Sequence, residues 1–242
     1  MVMMVPPPKS ANAIRVVSYN IRKCVGLDMR RDPHRIAGVI RQIGADIVAL
    51  QEADKRLPPR RYALPPDVIR SETNMFPAAV APTKVSLGFH GNALLLAPGW
   101  QVDAVHRLPL PGLEPRGAII VDVTSARGPL RVMATHLGLR RRDRQQQMTL
   151  MMAEQMSLAA RPTILLGDLN EWSPSQGFAP LDPFFTVHNP GRSFPSRRPI
   201  AALDRVATGP GLHLLDAGAI RAGAAGHASD HLPIWADLGL AD

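Results

Sequence analysis

The strongest pattern along the chain is a set of short apolar runs that each end in a polar residue. Val16-Val-Ser-Tyr-Asn20, Asp46-Ile-Val-Ala-Leu-Gln-Glu52, Met133-Ala-Thr-His136 and Thr163-Ile-Leu-Leu-Gly-Asp168-Leu-Asn170 all follow it. Such runs, bounded by turn signals, predict buried strands that deliver an amide, a carboxylate or an imidazole at their carboxyl ends. Between the first two, Asp32-Pro33 supplies a cap and a first-turn proline. Ile36, Val39, Ile40 and Ile43 recur at helical spacing, and Gly44 follows as a stop. The unit reads strand, helix, strand, and a right-handed crossover makes Asn20 and Glu52 neighbours. After the Thr163–Leu166 run, Gly167 reads as a tight turn.

Residues 54–90 hold no sustained period. Pro58-Pro59-Arg60-Arg61 and Pro65-Pro66 break any long element, which predicts a surface excursion with short strands. Strands are expected over 92–97, 100–108, 116–124 and 130–135, largely antiparallel, and later over 202–207, 212–219 and 231–238. A helix is expected over 140–160, with Met148, Met151, Met152, Met156 and Ala159 as its packed stripe. This order of elements suits two packed sheets with helices outside.

Composition narrows the picture in a few respects. With 242 residues, 45% hydrophobic and 20% charged, the chain suits one domain over 14–242 behind a flexible lead, 1–13. A net charge of +8 favours anionic partners: nucleic acid, a phospholipid head group or a sugar phosphate. The single Cys24 excludes an intramolecular disulfide or a cysteine zinc site and reads as a small strand-end residue. The N-terminus lacks the features of a signal peptide, and no apolar run approaches the ~20 residues that span a bilayer. A soluble cytoplasmic protein, monomeric by default, is the expectation.

Each polar residue alone has an ordinary reading, since Asp-x-Asn is common in turns and a strand-end acid often sits in a salt bridge. The order of the whole set carries more. Asn20, Glu52, His136, Gly-Asp168-Leu-Asn170, Leu203-Asp204-Arg205 and Ser229-Asp230-His231 resemble the ordered motifs of the endonuclease/exonuclease/phosphatase superfamily, over roughly Ile14 to Leu238. The resemblance implies an α/β fold, a four-layer α/β/β/α sandwich of two mixed, largely antiparallel sheets with outer helices. It also implies Mg²⁺- or Mn²⁺-dependent hydrolysis of a phosphate ester, foremost a phosphodiester, by in-line attack of water.

Hard cations prefer oxygen ligands, which makes Glu52 the first candidate ligand, with Asn20 and Asp230 completing the metal set. By resemblance, Asp204 orients His231 beside the scissile phosphate, and His136 is a phosphate or transition-state donor. Asp168, supported by Asn170, orients or activates water; the general base stays open between Asp168 and His231. Asn92 and Arg116 are candidates for contacting substrate. Some DNA-repair members of the superfamily carry a further acid two residues after the first-strand Asn. This chain has Arg22 and Lys23 there, which suits a loop that grips an anionic substrate and brings uncharacterised bacterial members closer. The alternatives are a nuclease and a non-catalytic nucleic-acid-binding module using Arg60-Arg61, Arg140–Arg142 and Arg197-Arg198.

Overall fold

A computed structural model describes residues 5–174 and 176–240. Strands β1 (Ile14–Asn20) and β2 (Ile47–Gln51) are buried along their whole length and pair in parallel, with Asn20 opposite Gln51. Helix α1 (Pro33–Ile43) joins them. The Asp32 side chain caps it by accepting the Arg35 N–H at 3.0 Å, and it ends at Gly44, whose φ of 65° lies in the left-handed region that favours glycine.

The stretch expected to be irregular contains helix α2 (Pro66–Thr73) and a two-residue strand, β3 (Phe76–Pro77). Pro65 and Pro66 start this helix instead of breaking it. Pro65 is the cap and Pro66 sits in the first turn, where the missing N–H has no intrahelical partner to lose. Strand β4 (Ala93–Leu96) follows, then β5 (Gln101–Leu110), β6 (Arg116–Ser125) and β7 (Gly128–His136) as an antiparallel meander. Helix α3 (Arg141–Ser157) buries Met148, Met151 and Met152. It ends at Ser157, so the expected stripe is shorter: Met156 is exposed and Ala159 lies beyond the helix.

The chain closes with β8 (Thr163–Asp168), β9 (Thr186–His188), β10 (Asp204–Thr208), β11 (Leu212–Ala219), a short α4 (Ala225–Ala228) and β12 (Ile234–Leu240). Neither β9 nor α4 was foreshadowed by the apolar pattern, and β12 begins after His231 instead of at it.

The strands form two six-stranded sheets, ordered β11-β12-β1-β2-β4-β3 and β5-β6-β7-β8-β10-β9. Both are mixed: β1–β2 and β7–β8 are parallel and the other pairs antiparallel. Alternation along each strand divides the apolar side chains between two layers. Val16, Ile47 and Leu94 meet Val121, Val132 and Ile164 between the sheets. Val17, Tyr19 and Leu50 cluster with Ile36 and Ile40 of α1 on one outer face, and Met133 and Leu165 with Met148 and Met151 of α3 on the other. The result is the four-layer α/β/β/α sandwich.

Two details bear on the site. In the second sheet Asp168 lies opposite His136 of β7 and opposite Asp204 of β10, so three ionisable residues occupy one rung across three strands. Gly167 does not turn the chain, as expected from sequence, but lies within β8. A Cβ there would stand 2.1 Å from the Thr135 carbonyl oxygen, so only glycine lets β7 and β8 close at that rung.

The expected flexible lead is tied down over part of its length. The Pro7 carbonyl accepts from Arg15 at 2.7 Å and Lys9 pairs with Asp46, while residues 1–4 lie outside the described residues. Among the described residues no helix is long and apolar enough to cross a membrane.

Candidate active site

The site forms where the carboxyl ends of β1 and β2 in one sheet meet the His136–Asp168–Asp204 rung of the other. Asp168 is its hub. Its Oδ1 accepts the Asn170 N–H at 3.1 Å and its Oδ2 accepts from Asn20 Nδ2 at 3.0 Å. The same Oδ2 has His136 Nε2 at 3.3 Å and His231 Nε2 at 3.6 Å. A carboxylate in a buried setting needs such partners, because an isolated charge there is strongly disfavoured.

Asp204 and His231, 27 residues apart in the chain, meet as a hydrogen-bonded unit. His231 Nδ1 lies 2.8 Å from Asp204 Oδ2, and Ser193 Oγ donates to the same oxygen at 2.5 Å. Nδ1 therefore faces the acid and Nε2 faces Asp168 and the crevice. Burial by itself lowers the His231 pKa, but the charges of Asp204 and Asp168 and the hydrogen bond to Asp204 outweigh it and raise the value to about 10. The Asp204 pairing thus favours the protonated ring. The opposite holds for His136, where burial foremost, with the positive charge of Arg116 adding to it against Asp168, pushes the pKa down to about 3. The two imidazoles that flank Asp168 are thus shifted in opposite directions.

The rim is built from loops. Past β1 the chain makes a tight turn in which Arg22, Lys23 and Cys24 all have positive φ. Arg22 Nε lies 3.4 Å from Asp230, and the Lys23 ammonium rests on the Glu52 carboxylate. The two cations expected to reach for substrate thus sit on two of the acids expected to bind metal. Asn20 Oδ1 accepts the Arg22 N–H at 3.1 Å, which fixes the amide so that Nδ2 points to Asp168.

Arg116, at the start of β6, is partly buried with its Nε unpaired among the described residues. Burial lowers its pKa, opposed by Asp168, Glu114 and Glu52, and it keeps its charge. Asn92 departs from expectation: its side chain is wholly buried and Nδ2 donates to the Gly117 and Phe89 carbonyls at 2.9 and 3.2 Å. Its donors hold the 89–92 turn against β6 and are not free for a phosphate. Asn170 Nδ2 is similarly engaged, by the Leu137 carbonyl at 2.9 Å. Cys24 is buried, and burial raises its thiol pKa to about 12, as suits an inert packing residue.

Sequence reasoning missed two contributors. Ser193 supports Asp204, and the Phe194 ring lies 4.8 Å from the His231 ring. Both lie in irregular chain, where no periodicity marks them out. Ser229, part of the terminal motif, donates from Oγ to the Asn20 carbonyl at 2.7 Å, pinning the Asp230-His231 turn onto β1.

The donors suit a hard divalent cation. Glu52, Asp168, Asp230 and the Asn20 amide all offer oxygen, and both rim acids already attract cationic side chains. Asp168, Asp204 and His231 also place ligand atoms within 4.8 Å of one another. In that trio, however, Asp204 Oδ2 and His231 Nδ1 are engaged with each other, so it reads first as a dyad beside a carboxylate.

A four-layer sandwich with carboxylates, amide and imidazoles at one end defines a class of protein, and the sequence profile of the Endonuclease/Exonuclease/phosphatase family matches residues 17–231. The chain belongs to that family, whose members are generally divalent-metal-dependent hydrolases of phosphate esters and include phosphodiesterases, nucleases and phosphatases. It is 29% identical to the uncharacterized protein YbhP of Escherichia coli, over 94% of this chain and 97% of that one. A Bacteroides thetaiotaomicron mannosyl-6-phosphatase superposes with a TM-score of 0.75 at 15% identity, covering 93% of this chain and 99% of the other. D. rerio TDP2, complexed with a single-strand DNA product, gives 0.69 at 16% identity, with 94% and 99% covered. At these identities the likeness to the two structures is one of fold.

Proposed function

We propose that the chain hydrolyses a phosphodiester by in-line attack of water, with Mg²⁺ or Mn²⁺ held by Glu52, Asn20 and Asp230. The observation that carries this reading is the single carboxylate of Asp168, flanked by His136 Nε2 at 3.3 Å and by His231 Nε2 at 3.6 Å, with Asp204 holding the other ring nitrogen of His231 at 2.8 Å. The cation would supply Lewis-acid stabilisation of the phosphoryl and leaving oxygens. The protein's own groups do the rest. Asp168 Oδ2 orients the attacking water and takes up its proton, because the Asp204 pairing already favours a proton on His231 and His136 lies in a site that disfavours charge. His231 Nε2–H and Arg116 stabilise charge developing on the phosphoryl oxygens as fixed, water-shielded donors.

Support for a diester comes from the two flanks of the crevice. A cavity adjoins His136 and Arg116 on one side. On the other, Phe194 covers His231 and meets the exposed Trp172 edge to face at 6.2 Å. A substrate thus has room for a substituent on each side of the scissile phosphate, which a diester has and a monoester lacks. The Trp172–Phe194 ledge also favours a nuclease as second reading, since aromatic rings stack on bases.

The test is turnover of bis(p-nitrophenyl) phosphate with Mn²⁺. Activity that vanishes in EDTA and in Asp168→Asn is expected; a wild-type protein inert toward this diester and toward single-stranded oligonucleotides, with either metal, would refute the reading.

A further inference from the structure

The cavity beside His136 measures about 250 Å³, below the ~300–1,000 Å³ of sites that hold drug-sized ligands. It begins at Glu52, His136 and Arg116 and runs outward to Lys55, Arg56 and Arg60. Its far wall is a built element. Asp54 and Tyr62 form a bridge, the Lys55 N–H donates to the Arg61 carbonyl at 2.8 Å, and the Arg60 N–H donates to the Leu57 carbonyl at 2.8 Å. The loop is therefore a closed hairpin. Within it Arg60 holds a left-handed φ of 53° and lays its guanidinium 3.4 Å from His90 Nδ1. A non-glycine residue held in that region is strained unless its surroundings fix it, and such strain gathers at ligand sites.

The charges around this cavity do not balance locally. Five cations, Lys23, Lys55, Arg56, Arg60 and Arg116, face three acids; Glu52 pairs with Lys23, and Asp54 is held by the N–H groups of Leu87 and Gly88 at 2.7 and 3.1 Å. Glu114 accepts the Leu139 N–H at 3.4 Å. Among the described residues none of Lys55, Arg56, Arg60 and Arg116 has a carboxylate within 4.0 Å. Arg56 is close enough to disfavour the charge of Arg116. Positive charge is thus in excess around one small concavity, and an anion in its midst offsets that excess.

We infer that this cavity binds a second phosphate group of the substrate, separate from the phosphate that is cleaved. The inference rests on the phosphoesterase reading above, and it narrows the substrate to a phosphodiester one of whose arms ends in a phosphomonoester. Arg116 stands at the junction, reaching toward the scissile phosphate, while Lys55, Arg56 and Arg60 hold the distal one. Guanidinium groups suit this role because their paired N–H donors match the oxygens of a phosphate.

The probe is inorganic phosphate, titrated by calorimetry into the full chain in EDTA, so that neither metal nor turnover enters. Wild type is expected to bind, and Arg56→Ala/Arg60→Ala is expected to weaken binding by about tenfold or more, as loss of charge-assisted contacts requires. Lys55 and Arg56 are exposed and Arg60 is partly exposed, so the fold survives, which circular dichroism checks. Arg56→Lys/Arg60→Lys, which keeps the charges, is expected to recover much of the affinity. Absence of phosphate binding by wild type would overturn the inference, as would equal affinity in the double alanine variant. So would binding that Arg116→Ala abolishes and the Arg56/Arg60 variant leaves intact, because the phosphate would then occupy the scissile position. Turnover of bis(p-nitrophenyl) phosphate by wild type is scored separately. Phosphate binding without turnover defeats the reaction and leaves the cavity's ligand standing; turnover without phosphate binding does the reverse.

Discussion

The two halves of this crevice are made differently. The deep half, His136, Asp168, Asp204 and His231, stands at or beside strand ends, is almost wholly buried and has its polar atoms 2.8–3.6 Å apart. The rim half, Arg22, Lys23, Glu52 and Asp230, stands on loops, with side chains 27–33% exposed. In the deep half a low local dielectric makes each charge strongly dependent on its neighbours, so the pKa values of two histidines flanking one carboxylate are pushed in opposite directions. On the rim, water screens the charges and exposed ion pairs contribute only about 0–1 kcal/mol. The contrast teaches that the chemistry is committed in the deep half, whereas the rim can exchange one cation for another at small cost.

That contrast can be broken by mutation, and the largest effect belongs to the hub. Asp168→Asn keeps the size and removes the charge. It should lower kcat by about 10³–10⁴, the range expected of a lost general base, with a near-native thermal transition; a loss under tenfold would move the base elsewhere.

Next come Asp204 and His231. Each alanine substitution should reduce kcat by about 10²–10⁴, and the double variant should lose far less than the product of the two, because the residues act as one unit. Additive losses would separate them.

The pH dependence sharpens the same point. His231 titrates at its ordinary 6.5 when unfolded and near about 10 when folded. A raised folded pKa means that stability from its ion pair is fully present below 6.5 and is lost as pH rises through about 10. Denaturant unfolding in EDTA should therefore show wild type losing more stability between those limits than Asp204→Asn, in which the partner charge is gone. Parallel curves would contradict the pairing.

Smaller again is Glu52→Gln on the rim. The metal concentration for half-maximal activity should rise by about tenfold or more, since a hard-cation ligand loses its charge, while stability changes by less than ~1 kcal/mol because the Lys23 pair is exposed. Arg22→Ala should do least. It removes the partner of Asp230 and a 3.4 Å contact to the Gly26 carbonyl, so KM should rise about two- to fivefold with kcat nearly unchanged; a kcat effect as large as that of Asp204→Ala would erase the distinction between the two halves.

Much of this arrangement is legible in the order of residues, because the strands that carry the site are apolar on both faces. Ile14–Asn20, Ile47–Gln51 and Thr163–Asp168 are buried end to end, so their runs stand out and their terminal polar residues are conspicuous. Helix α1 is equally readable from Asp32, Pro33 and Gly44, whose chemistry is local. Contributions from irregular chain are not readable. Pro65-Pro66 means either a broken element or a helix start, and the packing of Val68 and Ile69 against the first sheet's outer face decided for the start. Ser193 and Phe194 acquire meaning only when their loop folds back over β10 and His231.

By itself the sequence determined the long buried strands, helices α1 and α3 and the residue types at the strand ends, because hydrophobic periodicity and capping act over a few residues. Tertiary structure alone decided which polar atoms share a hydrogen bond. It was strand register that set His136, Asp168 and Asp204 on one rung, and close packing that turned the Asn92 amide inward. The hairpin at 54–62 likewise brought Lys55, Arg56 and Arg60 to the cavity that Arg116 enters from β6. Hydrogen bonds and charge coupling depend on separations of a few ångströms between segments far apart in the chain, and only the folded backbone specifies those separations.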